Sequence, residues 1–114
     1  MTPQEVFSRR YPRVQVDIAA KQVTRNEGHV AKLVDLSAAG AFLINVHESA
    51  FIDGNVVLEL HLPGVIGSLW ATGKVVRNQV RQGTTGVAIE FTHISEYDKQ
   101  VIADYVAGQR TGRS

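Results

Sequence analysis

"VQVDIAAKQVTRNEGHVAKLVDL", residues Val14 to Leu36, sets two stretches of alternating apolar and polar residues on either side of a turn. In the first, Val14, Val16, Ile18 and Ala20 alternate with Gln15, Asp17 and Lys21, the period of two that a strand shows when one face is buried. Asn26 and Gly28 tolerate positive φ, so "RNEG" (Arg25 to Gly28) predicts a tight turn into a second strand over His29 to Leu36. The pair reads as a hairpin.

Beyond it, "DLSAAG" leads into a short apolar run, "AFLI" (Ala41 to Ile44), that predicts a third strand. "NVHESAFIDG" reads as a loop closing at Gly54. In "NVVLELHL" (Asn55 to Leu62), Val56, Leu58, Leu60 and Leu62 share one face, and Pro63 and Gly64 end the strand. "SLWATGKVVRNQV" (Ser68 to Val80) is a longer strand with a bend or bulge expected at Gly73. After the turn "RQGTTG", "GVAIEF" puts Val87, Ile89 and Phe91 on one side. Six strands joined by short connections imply antiparallel pairing, because parallel neighbours need long crossovers.

The period then changes. Ser95 caps a predicted helix with Asp98 in its first turn, and Ile94, Tyr97, Val101, Ile102, Tyr105 and Val106 form its apolar stripe. Gly108 is the expected stop, about three turns on, with residues 109–114 a flexible tail. Such a helix has to bury its stripe across the sheet or the mouth of a barrel. Trp70 and the Val, Leu and Ile residues are expected in the core or barrel wall, and Glu59 and His61 on a solvated strand face.

Composition bounds the function. The 114 residues are 44% hydrophobic and 20% charged, which suits one folded domain. The net charge of +1 is not that of a duplex-DNA binder, so neither DNA nor RNA is expected as a partner. There is no cysteine and no close-spaced histidine pair, so neither a disulfide framework nor a metal site is expected. The first residues lack the apolar run of a secretion signal and no run is long enough to span a bilayer; the expected location is cytoplasmic, without membrane insertion.

Against that near-neutral background, "RRYPR" (Arg9 to Arg13) gathers three of the eight arginines. Pro12 biases Tyr11 to extended geometry and has no amide proton, so residues 1–13 read as an extended arm rather than a helix. Guanidinium groups this close repel unless solvent screens them or an anion joins them. The planar fork of arginine suits phosphate oxygens and the O6 and N7 edge of guanine. In "DLSAAG", Asp35 offers a carboxylate able to accept the N1 and N2 protons of guanine, and Ser37 offers a hydroxyl. Ala38, Ala39 and Gly40 are small enough for a flat ligand to approach the backbone, and Gly40 can take dihedrals closed to other residues. Taken separately, the two segments read equally as a solvated basic arm and an Asx or Ser turn.

Together they resemble the PilZ domain family, the bacterial receptor module for cyclic di-GMP, whose pattern is RxxxR followed, one hairpin later, by D/N-x-S-x-x-G. Here the matching residues are Arg9, Arg10 and Arg13, then Asp35, Ser37 and Gly40. "DGNVVLELHLPG", "GKVVR" and "GVAIEF" are similar to later landmarks of the family, and the likeness spans Arg9 to Ile94 with the closing helix. The resemblance implies an all-β fold, a six-stranded antiparallel β-barrel over residues 14–108 with a C-terminal α-helix. It further implies cyclic di-GMP bound on the outer surface as a ligand, with no cofactor. Arg9, Arg10 and Arg13 would hold phosphates and guanine, Asp35 and Ser37 would contact guanine, and Gly40 would allow close approach. Arg77 reads as either a further contact or a surface charge. The implied role is a non-enzymatic receptor acting on a downstream protein target; the alternative is a PilZ-like adaptor that has lost the nucleotide.

Overall fold

The computed structural model describes residues 11–24, 27–81 and 83–111. Six strands, β1 (Arg13–Thr24), β2 (Glu27–Ser37), β3 (Gly40–Ile44), β4 (Asn55–Leu60), β5 (Leu69–Arg81) and β6 (Thr84–Ile94), close into a barrel in the order β1-β2-β3-β6-β5-β4. Every neighbouring pair is antiparallel, including β1 with β4, so the sheet has no open edge. All six strands stand where the sequence predicts them. Arg25 and Asn26, half of the expected first turn, lie outside the described residues.

Inward positions align in cross-strand rows. Leu33, Leu43 and Val87 face one another across β2, β3 and β6, and all three are completely buried. Val56, Leu58 and Leu60 supply the same face of β4, as the alternation in "NVVLEL" requires. β4 ends at Leu60, two residues before the expected point, yet Leu62 remains buried. Gly73 marks the bulge expected of it: the β5–β6 register shifts between Thr72 and Gly73. A Cβ at Gly73 would stand 2.5 Å from Ile89 Cγ2 and 2.7 Å from the Glu90 carbonyl oxygen. Backbone cannot yield as a flexible side chain does. Gly73→Ala is therefore expected to destabilise the domain by about 1–3 kcal/mol, read as a lower urea midpoint at unchanged slope.

Among the described residues two helices complete the barrel. α1 (Ser49–Asp53) falls where the sequence predicts a loop. Its five residues are too few for a periodic signal, and what fixes them is tertiary. Gln22 is buried inside the barrel, its Oε1 accepts the His47 N–H at 2.7 Å, and its Nε2 donates to Ser49 Oγ at 3.0 Å. His47 Nδ1 accepts the Ser49 N–H at 3.1 Å while its ring stacks on His29 with centroids 3.8 Å apart. Gly54, at φ 73°, ends the helix with its N–H on the Ala50 carbonyl.

α2 (Glu96–Thr111) packs on β1 and β2. Ser95 caps it as expected, its Oγ accepting the Asp98 N–H at 3.0 Å. Ile102 and Val106 are buried, with Val101 and Tyr105 partly so. Two expectations are corrected. Tyr97 is 77% exposed and leaves the stripe. The helix also runs through Gly108: stopping there needs a left-handed residue, and Gly108 is not among the described glycines with positive φ. No described helix is long and apolar enough to cross a membrane.

Candidate functional site

The register of β1 against β2 brings the two sequence motifs together. Arg13 opens β1 directly opposite Ser37, and Gln15 lies opposite Asp35. Uninterrupted alternation from Ala31 and Leu33 would send Asp35 and Ser37 into the core. A register shift between Leu33 and Asp35 in the β2–β3 pair prevents this: Leu33 and Leu36 both enter the core, and the residues flanking Leu36 turn to the outer surface. The bulge makes Asp35 available.

Ser37 is fully buried in the wall, where its Oγ accepts the N–H groups of Ala39 at 3.1 Å and Gly40 at 3.2 Å. These bonds shape the turn between β2 and β3. The Ala39 carbonyl accepts the Phe91 N–H at 2.8 Å, tying the turn to β6. Gly40 does not use the left-handed freedom expected of it; it is an extended strand residue, so what it offers is the space of a missing side chain.

Outward positions form two parallel rows. One runs Asp35, Phe42, Ala88, Arg77 across β2, β3, β6 and β5; the other takes Arg13 and Ser37, then, beyond the turn, Gly40, Glu90 and Lys74. Between them opens a cleft of about 460 Å³, lined by Arg13, Asp35, Ser37, Gly40, Phe42, Lys74, Val76, Arg77, Ala88 and Glu90, with Leu36, Ala41 and Ile89 beneath. Of the expected site residues, Arg13, Asp35, Ser37, Gly40 and Arg77 all meet here. Arg9 and Arg10 lie outside the described residues. Arg77 is half-buried, and its Nε donates to Gln79 Oε1 at 2.8 Å.

Phe42, Lys74, Val76, Ala88 and Glu90 were not singled out by sequence. The signal for two of them was present, because the alternation that sends Val87 and Ile89 inward sends Ala88 and Glu90 outward. Phe42 lies on the outer side yet is buried, because its ring covers Gly86: a Cβ there would come within 2.7 Å of two ring carbons.

A second polar cluster lies on β4 and the loop after it. Ser68 Oγ donates to Glu59 Oε2 at 2.7 Å; His61 Nε2 lies 3.4 Å from the same oxygen and 3.3 Å from Ser68 Oγ; Lys21 Nζ is 3.9 Å from Oε1. Serine, histidine and carboxylate are all present, but a proton relay needs the two ring nitrogens to face different partners. Here one nitrogen faces both. The Glu59 carboxyl is held below its ordinary value of 4.5, chiefly by the Ser68 hydroxyl bond; desolvation, the next largest effect, opposes this, and the charges of Lys21 and His61 and the His61 hydrogen bond add smaller lowering effects. A carboxyl with a lowered folded pKa stabilises the fold above its unfolded value, and that contribution disappears as pH falls through the folded value. Glu59→Gln is thus expected to melt below the wild type above about pH 4.5 and to converge with it in more acid solution, a comparison made by thermal unfolding across pH. Glu59 and His61 were expected on a solvated strand face; His61 is exposed, while Glu59 is largely covered by its partners. Trp70, opposite Glu59 on the barrel wall, is 47% exposed and not part of the core. Among the described residues no cluster of three metal-binding side chains occurs.

The chain is thus a closed antiparallel barrel with a C-terminal helix and a charged cleft on its outer wall. The PilZ domain profile matches residues 7–108, nearly the whole chain, and the chain belongs to the PilZ domain family. No curated protein matches it at a significant level. Among solved structures, the Bacillus subtilis inhibitor of motility, MotI, superposes with a TM-score of 0.76 at 17% identity, over 90% of this chain and 52% of that one. The PilZ domain of YcgR from Escherichia coli, solved with c-di-GMP, gives 0.63 at 14% identity over 89% and 90%. The K. pneumonia MrkH–c-di-GMP complex gives 0.66 at 16% over 87% and 51%. At these identities the likeness is one of fold, and this chain spans about half the length of MotI and MrkH.

Proposed function

We propose that this domain is a receptor for cyclic di-GMP, taken up in the cleft between the two outer rows. The observation that carries the reading is the β1–β2 register, which sets Arg13 opposite Ser37 and one diagonal step from Asp35 on a single surface. Separated by a hairpin in sequence, a guanidinium and a carboxylate there bound the same concavity. The ligand has two phosphates and two guanines. Arg13 supplies a fork for phosphate oxygens or the guanine O6 and N7 edge, and Asp35 accepts guanine N1 and N2 protons. Arg9 and Arg10 add charge from the arm, Ser37 holds the turn, Gly40 leaves room, and Arg77 stands on the far side. YcgR and MrkH, which share the fold, were solved with this ligand.

Binding without chemical change makes the domain a cytoplasmic switch, in which the bound ligand alters the surface offered to a downstream protein. Calorimetric titration with cyclic di-GMP, with GMP and GTP as controls, tests this directly. Saturable heat with the cyclic dinucleotide alone is expected. Absence of heat would leave the domain a protein-binding adaptor without a nucleotide.

A further inference from the structure

The motif residues occupy only one half of the cleft. Across from them stand Glu90 and Lys74, register partners on β6 and β5, both exposed and both lining the concavity. Directly opposed charges on neighbouring strands ordinarily pair. Among the described residues neither of these forms an ion pair. On its other side Glu90 faces Gly40, which has no side chain to fill the space. The carboxylate therefore has room for a planar partner.

We propose that this far half is a second guanine-reading subsite, in which Glu90 accepts the N1 and N2 protons of another base and Lys74 holds the adjoining phosphate. The inference rests on the cyclic di-GMP reading above and extends it from one base to two. Glu90 lies two strands and one outer row away from Asp35; with strands about 4.8 Å apart and a rise of about 3.3 Å per residue, their backbones are about 12 Å apart. The N1 and N2 protons of a guanine lie side by side on one edge, so no single base can satisfy both carboxylates. Two can. Phe42 and Ala88, between the two carboxylates, give an apolar floor for the ring system that joins them.

A carboxylate is selective here for a chemical reason. Guanine presents two donors to it, whereas adenine presents the N1 lone pair, which repels a carboxylate and leaves a desolvated acceptor unpaired. The discriminating ligand is thus the mixed ring with one guanine and one adenine. If one base is read, the mixed ring binds nearly as well as cyclic di-GMP by placing its guanine against Asp35. If two are read, it cannot satisfy both.

The test is calorimetric titration of the wild type, Glu90→Ala and Lys74→Ala with cyclic di-GMP and the mixed guanine–adenine ring. Each variant must first melt cooperatively, which exposed positions should allow. The wild type is expected to prefer cyclic di-GMP by about tenfold or more, the loss of a charge-assisted bond. Glu90→Ala should bind cyclic di-GMP more weakly and narrow that preference to within about threefold. Lys74→Ala should weaken both ligands alike and leave their ratio unchanged, as a phosphate contact does. Both bases belong to one molecule, so one ligand per domain is expected, and a stoichiometry of two overturns the subsite. Equal wild-type affinity for the two rings, or an unchanged preference in Glu90→Ala, overturns it. A wild type that binds neither ring overturns the receptor reading instead.

Discussion

Arg13→Ala and Asp35→Ala are each expected to raise the dissociation constant for cyclic di-GMP at least about tenfold, because a lost charge-assisted hydrogen bond costs about 1.5–3 kcal/mol. The two losses differ in kind. Arg13 is exposed at the first residue of β1 and lines the cleft, so its removal takes away a positive fork at a solvent-facing position. Its effect should shrink as salt is added, since the charges it meets are screened. Asp35 is only 7% exposed, set into the wall between Leu36 and the β2–β3 bulge. Removing it leaves guanine donors facing apolar wall, a penalty that salt does not relieve. Titrations at two salt concentrations therefore separate the roles. Lys32→Ala is the control: it removes a cation that pairs with Asp17 at 2.9 Å, away from the cleft, and should leave affinity unchanged. If both site variants bind as the wild type does, the ligand lies elsewhere on the barrel.

The sequence revealed the strands and the motif residues through different signals. Strand existence follows from alternation, which survives in "VQVDIAAK" and "NVVLEL" because each strand has one face in the core. Closure does not follow: the β1–β4 pairing joins residues such as Ala20 and Leu60, far apart in the chain, and no local pattern encodes it. For that step the family resemblance was needed. Bulges are where alternation misleads. Counted from Leu33 without interruption, Asp35 and Ser37 would be core residues, and it is the extra residue in β2 that turns them outward. On β5 the shift between Val75 and Arg77 does the same for Arg77. Phe42 was hidden for the opposite reason: in "AFLI" it reads as one of four core residues, but it belongs to the outer face, over Gly86. α1 escaped because Gln22, a residue distant in sequence, holds it in place. A buried polar side chain of this sort has no periodic signature.

Leu43→Ala carries the largest expected loss of stability, about 2–5 kcal/mol, with a fall in melting temperature on the order of 10–20 °C. Leu43 sits in the middle of β3, the shortest strand of the barrel, between Leu33 and Val87, and none of the three has any solvent exposure. Truncation removes buried methyl groups and leaves a cavity as well. In an open sheet or helix pair the neighbours could close in. Here β2 and β6 are fixed by ladders on both sides, so the wall cannot contract without breaking register elsewhere, and the cost should fall in the upper part of that range. Leu43→Met, which nearly preserves volume, should cost less than about 1.5 kcal/mol. Urea denaturation of both variants measures the difference, with an unchanged slope as the sign that the same surface is exposed. The consequence reaches the ligand: Phe42, the next residue, forms the floor of the cleft, and β3 holds it there only while Leu43 is anchored on the inner side. At a temperature where Leu43→Ala is still folded, its affinity for cyclic di-GMP should fall less than that of Asp35→Ala, because the charged contacts remain while the floor beneath them loosens.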